Sequence, residues 1–442
     1  MGVPHLFQSQ RSPTSKRAAQ NKASILIING FVYFCGVSLL LSLVWSLLSM
    51  LDPNLSLETI ISKTRFTYSQ GLNQCHDSPD TTFYDDPHLS YNMETPMKDW
   101  DKKRKEWLRH HPSFNAGAHR RILMLTGSQP SPCKNPVGDH LLLRMFKNKV
   151  DYCRLHGYDI LYNNLLLHPK LNSYWAKYPV VKAAMMAHPE AEWIWWIDSD
   201  AVFTDMEFTV PLEKYKNHNL IVDGWPREIY EKKSWTGLNA GVFLIRNCQW
   251  SMDFMHVWTS MGPQSPDFYK WGDVQKSILK DKMFPGSDDQ AALIYLILKQ
   301  NEKWADKIYL ENEYALSAYW LGVVDKLDNL TSRYMKMERR AHRLRRQHAE
   351  VDSECHGALT EQYLKDAGQN NSTWRRPFVT HFTGCQPCSG EHNPMYKGDT
   401  CVKGMQKALN FADNQVLRRF GVVHPDLLNS FVTPLKKLDL PA

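Results

Sequence analysis

Apolar positions fall into two regimes along the chain. From Ser24 to Leu51 no charged residue occurs over 28 positions. That is longer than the roughly 20 a membrane-spanning helix needs, and longer than the about 7–15 of a signal-peptide apolar core. The acid-free tail before it carries Arg11, Lys16, Arg17 and Lys22, and Asp52 follows it. The asymmetry predicts a single-pass signal anchor over 24–51, with residues 1–23 cytoplasmic and the remainder lumenal. Residues 52–115 are polar and turn-rich, with a charged stretch from Asp99 to Arg109, and predict a stem. From residue 116 to 442 short apolar runs alternate with amphipathic segments. Ile122 to Leu125 reads as a strand, Asp139 as the cap of a helix ending at Gly157, and Tyr158 to Tyr162 as a second strand. A helix over Pro179 to His188 precedes the apolar run Trp193 to Ile197. Leu220 to Val222 and Gly241 to Ile245 are further strands, and Ser287 caps a helix from Asp288 to Gln300. This alternation predicts an α/β domain with a mostly parallel sheet. The charged stretch Arg333 to Lys365 reads as a solvated helix or an inserted loop.

Composition changes this picture little. The 15 Trp and 19 Tyr suit an ordinary intracellular fold or a protein that handles sugars. Four of the charges behind the formal +7 lie in the first tail, so nothing points to nucleic acid as a partner. Lumenal placement exposes Cys75, Cys133, Cys153, Cys248, Cys355, Cys385, Cys388 and Cys401 to oxidation and leaves their pairing open. Cys385-Gln386-Pro387-Cys388 lacks a second such pair, and no strand precedes it in thioredoxin fashion, which favours a disulfide-forming loop over a zinc or redox site. Sequons at Asn54, Asn329, Asn370 and Asn371 fit a lumenal domain.

The chemistry centres on Trp193 to Ile197 followed by Asp198-Ser199-Asp200. Alternation along a strand would put both carboxylates on one side and Ser199 on the other. The carboxyl end of such a strand is where open α/β sheets bind ligands. Two carboxylates this close repel unless a cation lies between them, and hard oxygen ligands suit Mn²⁺ or Mg²⁺. A capped turn at the strand's end is the plainer alternative. Asp288, Asp289 and Gln290 stand at a helix start, where the dipole favours carboxylates in any protein.

These residues resemble the D-x-D nucleotide-sugar transferases of the GT-A fold, and within them plant glycosyltransferase family 34. The resemblance runs through Leu125–His140 (LTGSQPSPCKNPVGDH), Asn148–Ile160, Glu192–Asp205 (EWIWWIDSDAVFTD), Gly237–Ser251, Ser287–Ile297, Val379–Cys388 (VTHFTGCQPC) and Ala408–Val416. It implies a UDP-sugar donor, a β-1,4-linked polysaccharide acceptor, and a metal held by Asp198, Asp200 and His381. It further implies Thr126, Gly127, Ser128, Asp198, Ser199, Asn239, Gly241 and Gln386 around the donor, with Gly127 letting the backbone approach closely. Asp289 and Gln290 would face the transferred sugar, with Asp288 beside them in the catalytic set. Family members retain anomeric configuration, so the leaving phosphate takes the acceptor proton while Gln290 shields the opposite face. An inverting enzyme would need a carboxylate base, a role open to Asp289. Taken alone, a His before Phe such as His381 is more often a satisfied buried residue, and Asn239 reads equally as a turn residue before a strand.

Within that family the chain resembles the galactomannan galactosyltransferase branch. Gln386 stands where xylosyltransferases carry a diphosphate-contacting Lys, with Lys397 or His392 as substitutes. Ala240 and Val242 replace a Thr and a Ser, and the smaller Ala240 would make room for C6 of galactose. Ser317-Ala318 replaces His-Gly. The resemblance implies α-1,6-galactosyl transfer from UDP-galactose to mannose in a β-1,4-mannan at the Golgi membrane. The alternatives are α-1,6-xylosyl transfer from UDP-xylose to a β-1,4-glucan, and a non-catalytic scaffold subunit. Association with itself or with other glycosyltransferases is a further expectation.

Overall fold

The computed structural model describes residues 89–115, 121–341, 353–368 and 375–435, together with Val37 and Leu344. The chain divides into Met1–Thr82 and Phe83–Ala442; in the first unit only Val37, helical and exposed, is described. The expected tail and anchor, Cys75, and the sequons at Asn54, Asn370 and Asn371 therefore lie outside the described residues. Among the described residues no helix is long and apolar enough to cross a membrane.

In chain order the second unit holds α1 (Trp100–His110), β1 (Ile122–Gly127), α2 (Gly138–His156), β2 (Asp159–Asn163), α3 (Lys177–Ala187) and β3 (Trp193–Ile197). It continues with β4 (Ala201–Phe203), β5 (Leu220–Gly224), β6 (Leu238–Arg246), α4 (Gln249–Thr259), α5 (Phe268–Ile278) and α6 (Asp289–Lys299). Then come β7 (Ile308–Glu311), β8 (Ala318–Tyr319), α7 (Leu327–Arg340), α8 (Ser353–Asp366), β9 (Val379–His381) and α9 (Thr400–Leu417). Shorter helices, and a small hairpin near the C-terminus, complete the described residues.

The large sheet has the order β2-β1-β3-β6-β5-β7. Its neighbours are parallel except that β6 runs against both β3 and β5. The sheet is therefore mixed and mostly parallel, as the alternating pattern predicts. All five side chains of β3 are buried, which explains why this strand is a continuous apolar run rather than an alternating one. Ile194 and Trp196 enter one core with α3, α4 and α6; Trp193, Trp195 and Ile197 enter the other with α2 and α9. Burying each such side chain is worth about 1.5–3 kcal/mol, so this strand anchors both faces.

Two local rules end α2. Gly157 adopts φ 67°, and the cap amide returns to Cys153 O, the left-handed close that glycine makes without strain. The start of α6 differs from expectation. Asp288, not Ser287, is its cap, accepting from Ala291 N at 2.8 Å, while Ser287 Oγ accepts from Gln275 Nε2 at 2.7 Å.

Part of the expected stem packs as core. Met93, Met97 and Trp100 are buried, and Trp100 Nε1 donates to Asn247 Oδ1 at 2.7 Å. The charged stretch after residue 332 forms the end of α7 and most of α8, with a satellite core of Tyr334, Met337, Leu344 and Leu364. Asn329 is exposed at the start of α7.

Candidate active site

Two carboxylates and an imidazole from distant parts of the chain meet beyond β3. That strand ends at Ile197, and Asp198-Ser199-Asp200 form a turn closed by Ala201 N donating to Asp198 O at 3.1 Å. The turn, not strand alternation, orients the pair, and Ser199 lines the same cleft as both aspartates. A second sheet, β4-β9-β8, brings in the histidine: β4 pairs antiparallel with β9, Ala201 opposite His381. Phe382 N adds a bond to Asp200 O at 3.1 Å. One donor atom from each of Asp198, Asp200 and His381 lies within 4.8 Å of the others. His381 Nε2 is 3.2 Å from Asp200 Oδ1 and 3.9 Å from Asp198 Oδ2.

The environment of the ring selects its tautomer. Nδ1 faces two oxygens, Asn239 Oδ1 at 3.1 Å and Ser317 Oγ at 3.1 Å. The hydroxyl proton of Ser317 is already donated to Asn239 Oδ1 at 3.0 Å, so Nδ1–H donates on that side, and Nε2 faces Asp200, whose carboxylate can only accept from it. Burial opposes charge on this ring, but Asp200 and Asp198 hold its pKa above the ordinary histidine value. A bound divalent cation would take over that balance and displace the proton. Asn239 thus orients the histidine, and its oxygen also accepts from Gly241 N at 3.0 Å.

A bulge in β6 makes this approach feasible. Val222 of β5 pairs with Phe243 and the next residue, Asp223, with Asn239, so Ala240, Gly241 and Val242 have no partner on β5, while Val242 still pairs with Ile197 of β3. Such bulges re-aim side chains. Asp198 N donates to Gly241 O at 2.9 Å. A Cβ at position 241 would overlap the His381 ring and come within 2.5 Å of Asp198 Oδ2. Gly127 has a different cause: its Cβ would strike the Asn163 carbonyl of β2, so its smallness serves strand packing.

Behind the bulge, Asp223 is buried, with Oδ1 accepting from Ser317 N at 3.2 Å and Oδ2 unpartnered. Burial pushes its pKa up to about 8 against the opposing Ser317 amide. The folded state therefore favours the protonated acid, whereas the unfolded chain releases that proton at about 3.9. The stability this proton contributes is complete below the unfolded value and is lost as pH rises towards 8. Asp223→Asn removes the titration, so its thermal melts are expected to vary less than those of the unaltered chain between those limits. Identical slopes would reject the assignment.

Lysines that the sequence does not single out support the site. Lys149 of α2 donates to Ser199 O at 3.2 Å and Ala201 O at 2.7 Å, pinning the aspartate turn. Lys177 of α3 donates to Ala240 O at 2.8 Å and lies 2.8 Å from Asp289 Oδ2 and 3.8 Å from Asp198 Oδ1. Burial works against its charge, yet Asp198 and Asp289 raise its pKa. Asp289 is fully engaged: Oδ2 also accepts from Tyr178 OH at 3.1 Å, and Oδ1 from Gln290 N at 2.9 Å. Asp288 accepts from Trp235 Nε1 at 2.9 Å, and Gln290 Nε2 donates to Trp235 O at 2.8 Å. The signal for both lysines is burial of a cation inside a helix, which the chain pattern does not reveal.

The aspartate turn opens on a cleft of about 720 Å³. Gly127, Ser128, Asp198, Ser199, Asp200, Lys134, Lys177 and Gln386 are on its wall; Thr126, Asn239, Gly241, Asp288, Asp289, Gln290 and His381 are not. Thr126 is buried in β1 with Oγ1 unpartnered. Two expectations change. Neither Lys397 nor His392 lines the cleft. Ala240 is 2% exposed in the core under α6, so it makes no room for a sugar. The motif Cys385-x-x-Cys388 does form disulfides, but not with itself: Cys385 bonds Cys401, and Cys388 bonds Cys133.

Two carboxylate oxygens and an imidazole nitrogen fit a divalent cation, and a cation there would face a cleft large enough for a nucleotide sugar. In class the molecule is a glycosyltransferase. More particularly, the chain belongs to the galactosyl transferase GMA12/MNN10 family, whose model matches residues 118–392. It is 57% identical to galactomannan galactosyltransferase 1 of Cyamopsis tetragonoloba, over 95% of this chain and 98% of that one. It is 41% identical to a probable xyloglucan 6-xylosyltransferase 3 of Arabidopsis thaliana, over 82% of this chain and 74% of that one. Among solved structures, a glycosyltransferase involved in glycosylation of the major capsid of PBCV-1 covers 60% of this chain and 94% of its own at 12% identity, with a TM-score of 0.34.

Proposed function

We propose that the chain is a retaining α-1,6-galactosyltransferase of GT-A fold that moves galactose from UDP-galactose to O6 of mannose in a β-1,4-mannan backbone. The observation that carries the donor choice is the 57% identity over nearly the whole length of the galactomannan enzyme, against 41% for the xylosyl relative. Asp198, Asp200 and His381 would hold Mn²⁺, which supplies positive charge to the donor diphosphate. The cleft walls from Gly127, Ser128 and Ser199 would take the nucleotide. Retention is supported by Asp289, whose carboxylate is occupied by Lys177, Tyr178 and the Gln290 amide and is not a free base. The C1–O bond to the phosphate breaks with its electron pair going to phosphate oxygen. The acceptor oxygen bonds C1 on the same face, and its proton passes to that phosphate. Gln290, held by Trp235, would cover the other face.

The test is the full-length chain in detergent, given UDP-galactose and UDP-xylose separately on manno- and cello-oligosaccharides, with the product anomer read by NMR. Preferred xylosyl transfer to the glucan would overturn the donor assignment, and no transfer from any pair would favour the scaffold reading. We place the catalytic domain in the Golgi lumen behind a type II anchor, on the strength of the uncharged run behind a basic tail. Protease added to sealed microsomes should then spare it until detergent is present.

A further inference from the structure

The cleft carries a cation that the site described above leaves unused. Two lysines line it, Lys134 and Lys177. Lys177 is 3% exposed and committed to Asp289 and the Ala240 carbonyl. Lys149, just behind the aspartate turn, is buried and donates to backbone carbonyls. Lys134 is exposed, and among the described residues no hydrogen bond or ion pair engages it. Its backbone, in contrast, is fastened. Cys133 is bonded to Cys388, Asn135 N donates to Cys388 O at 2.9 Å, and Asn135 Nδ2 donates to Pro387 O at 2.8 Å. Gly138 closes the turn so tightly that a Cβ there would lie 2.8 Å from both Cys133 Cβ and Pro387 O. An exposed cationic residue thus lines the cleft from a loop fastened at both neighbours.

Charge says what it would meet. The cleft wall holds the carboxylates of Asp198, Asp200 and Glu391, and a divalent cation offsets only part of these once a diphosphate enters. When the sugar C1–O bond breaks, its electron pair stays on the diphosphate, and the acceptor proton follows. Until that proton arrives the leaving group carries extra negative charge, which a nearby ammonium stabilises. We propose that Lys134 is the protein's own cation for the diphosphate of the donor and of the departing nucleotide, held in place by the Cys133–Cys388 clamp. Gln386 lines the same cleft from the partner loop of that clamp, so a cation placed there can reach the same charge.

This rests on the nucleotide-sugar reading above. The test is titration calorimetry of the full-length chain with UDP, UMP and uridine in the presence of Mn²⁺, alongside steady-state transfer. Lys134→Ala should weaken UDP binding roughly ten-fold, one charge-assisted contact's worth, and uridine binding little. Adding Gln386→Lys to that variant should restore most of the UDP affinity, a rescue that a merely structural role for Lys134 would not produce. Equal UDP affinity with and without Lys134, parallel losses for UDP and uridine, or no rescue each overturns the proposal. If the unaltered chain binds no UDP at all, the nucleotide-sugar reading falls first and this inference with it.

Discussion

Asp200→Asn is expected to abolish transfer while leaving a folded protein. Asp200 belongs to a turn rather than to the core: its side chain is 20% exposed and meets His381 at 3.2 Å. The turn itself is held by backbone groups, through Lys149, Phe382 N and Ala201 N. Asn keeps the size and loses the charge, so the scaffold survives and the cation loses a hard anionic ligand. Removing one preorganised charge of this kind typically costs about 10²–10³-fold in turnover. The measurements are kcat/KM with UDP-galactose, Mn²⁺ affinity, and thermal unfolding of the same preparation. Turnover near the unaltered level in excess EDTA would refute the metal assignment. Collapse of the melting transition would instead make Asp200 structural.

Lys177→Met should be the most destabilising single change near the site. The ammonium is 3% exposed and balances Asp289, itself 8% exposed. Removing it strands a carboxylate among Tyr178, Trp258 and the start of α6. Breaking a buried pair by deleting one partner costs about 3–5 kcal/mol, whereas replacing both by apolar groups of similar size is often close to neutral. Lys177→Met combined with Asp289→Leu should therefore recover most of the loss in urea unfolding, a coupling read by a double-mutant cycle. Stability of the double variant equal to the sum of two large losses would show that the pair is not the cause. Activity need not recover with stability, because Lys177 also holds the carbonyl of Ala240 beside Gly241.

What the sequence by itself determined is what depends on neighbours along the chain. Continuous apolar runs mark β1 and β3 because buried parallel strands need both faces apolar. Gly157 marks the end of α2 because a left-handed cap suits glycine. Asp198-Ser199-Asp200 after five apolar residues mark the ligand-facing end of the sheet, because ligands gather where strands stop. The family motif around Val379–Cys388 marks His381, which its local context alone does not. Tertiary structure decided the rest. The bulge at Ala240–Val242 appears only when β6 pairs with β5, and it fixes why residue 241 must be glycine and why Ala240 is core rather than pocket. The pairing of β4 with β9 brings His381 to Asp200 across 181 positions. The two disulfides cross between loops instead of closing within Cys385–Cys388. Lys149 and Lys177 become part of the site only through burial against carboxylates and carbonyls that are distant in sequence. Local patterns record propensity and burial, whereas ligand geometry and charge balance arise from contacts between segments that nothing along the chain makes adjacent.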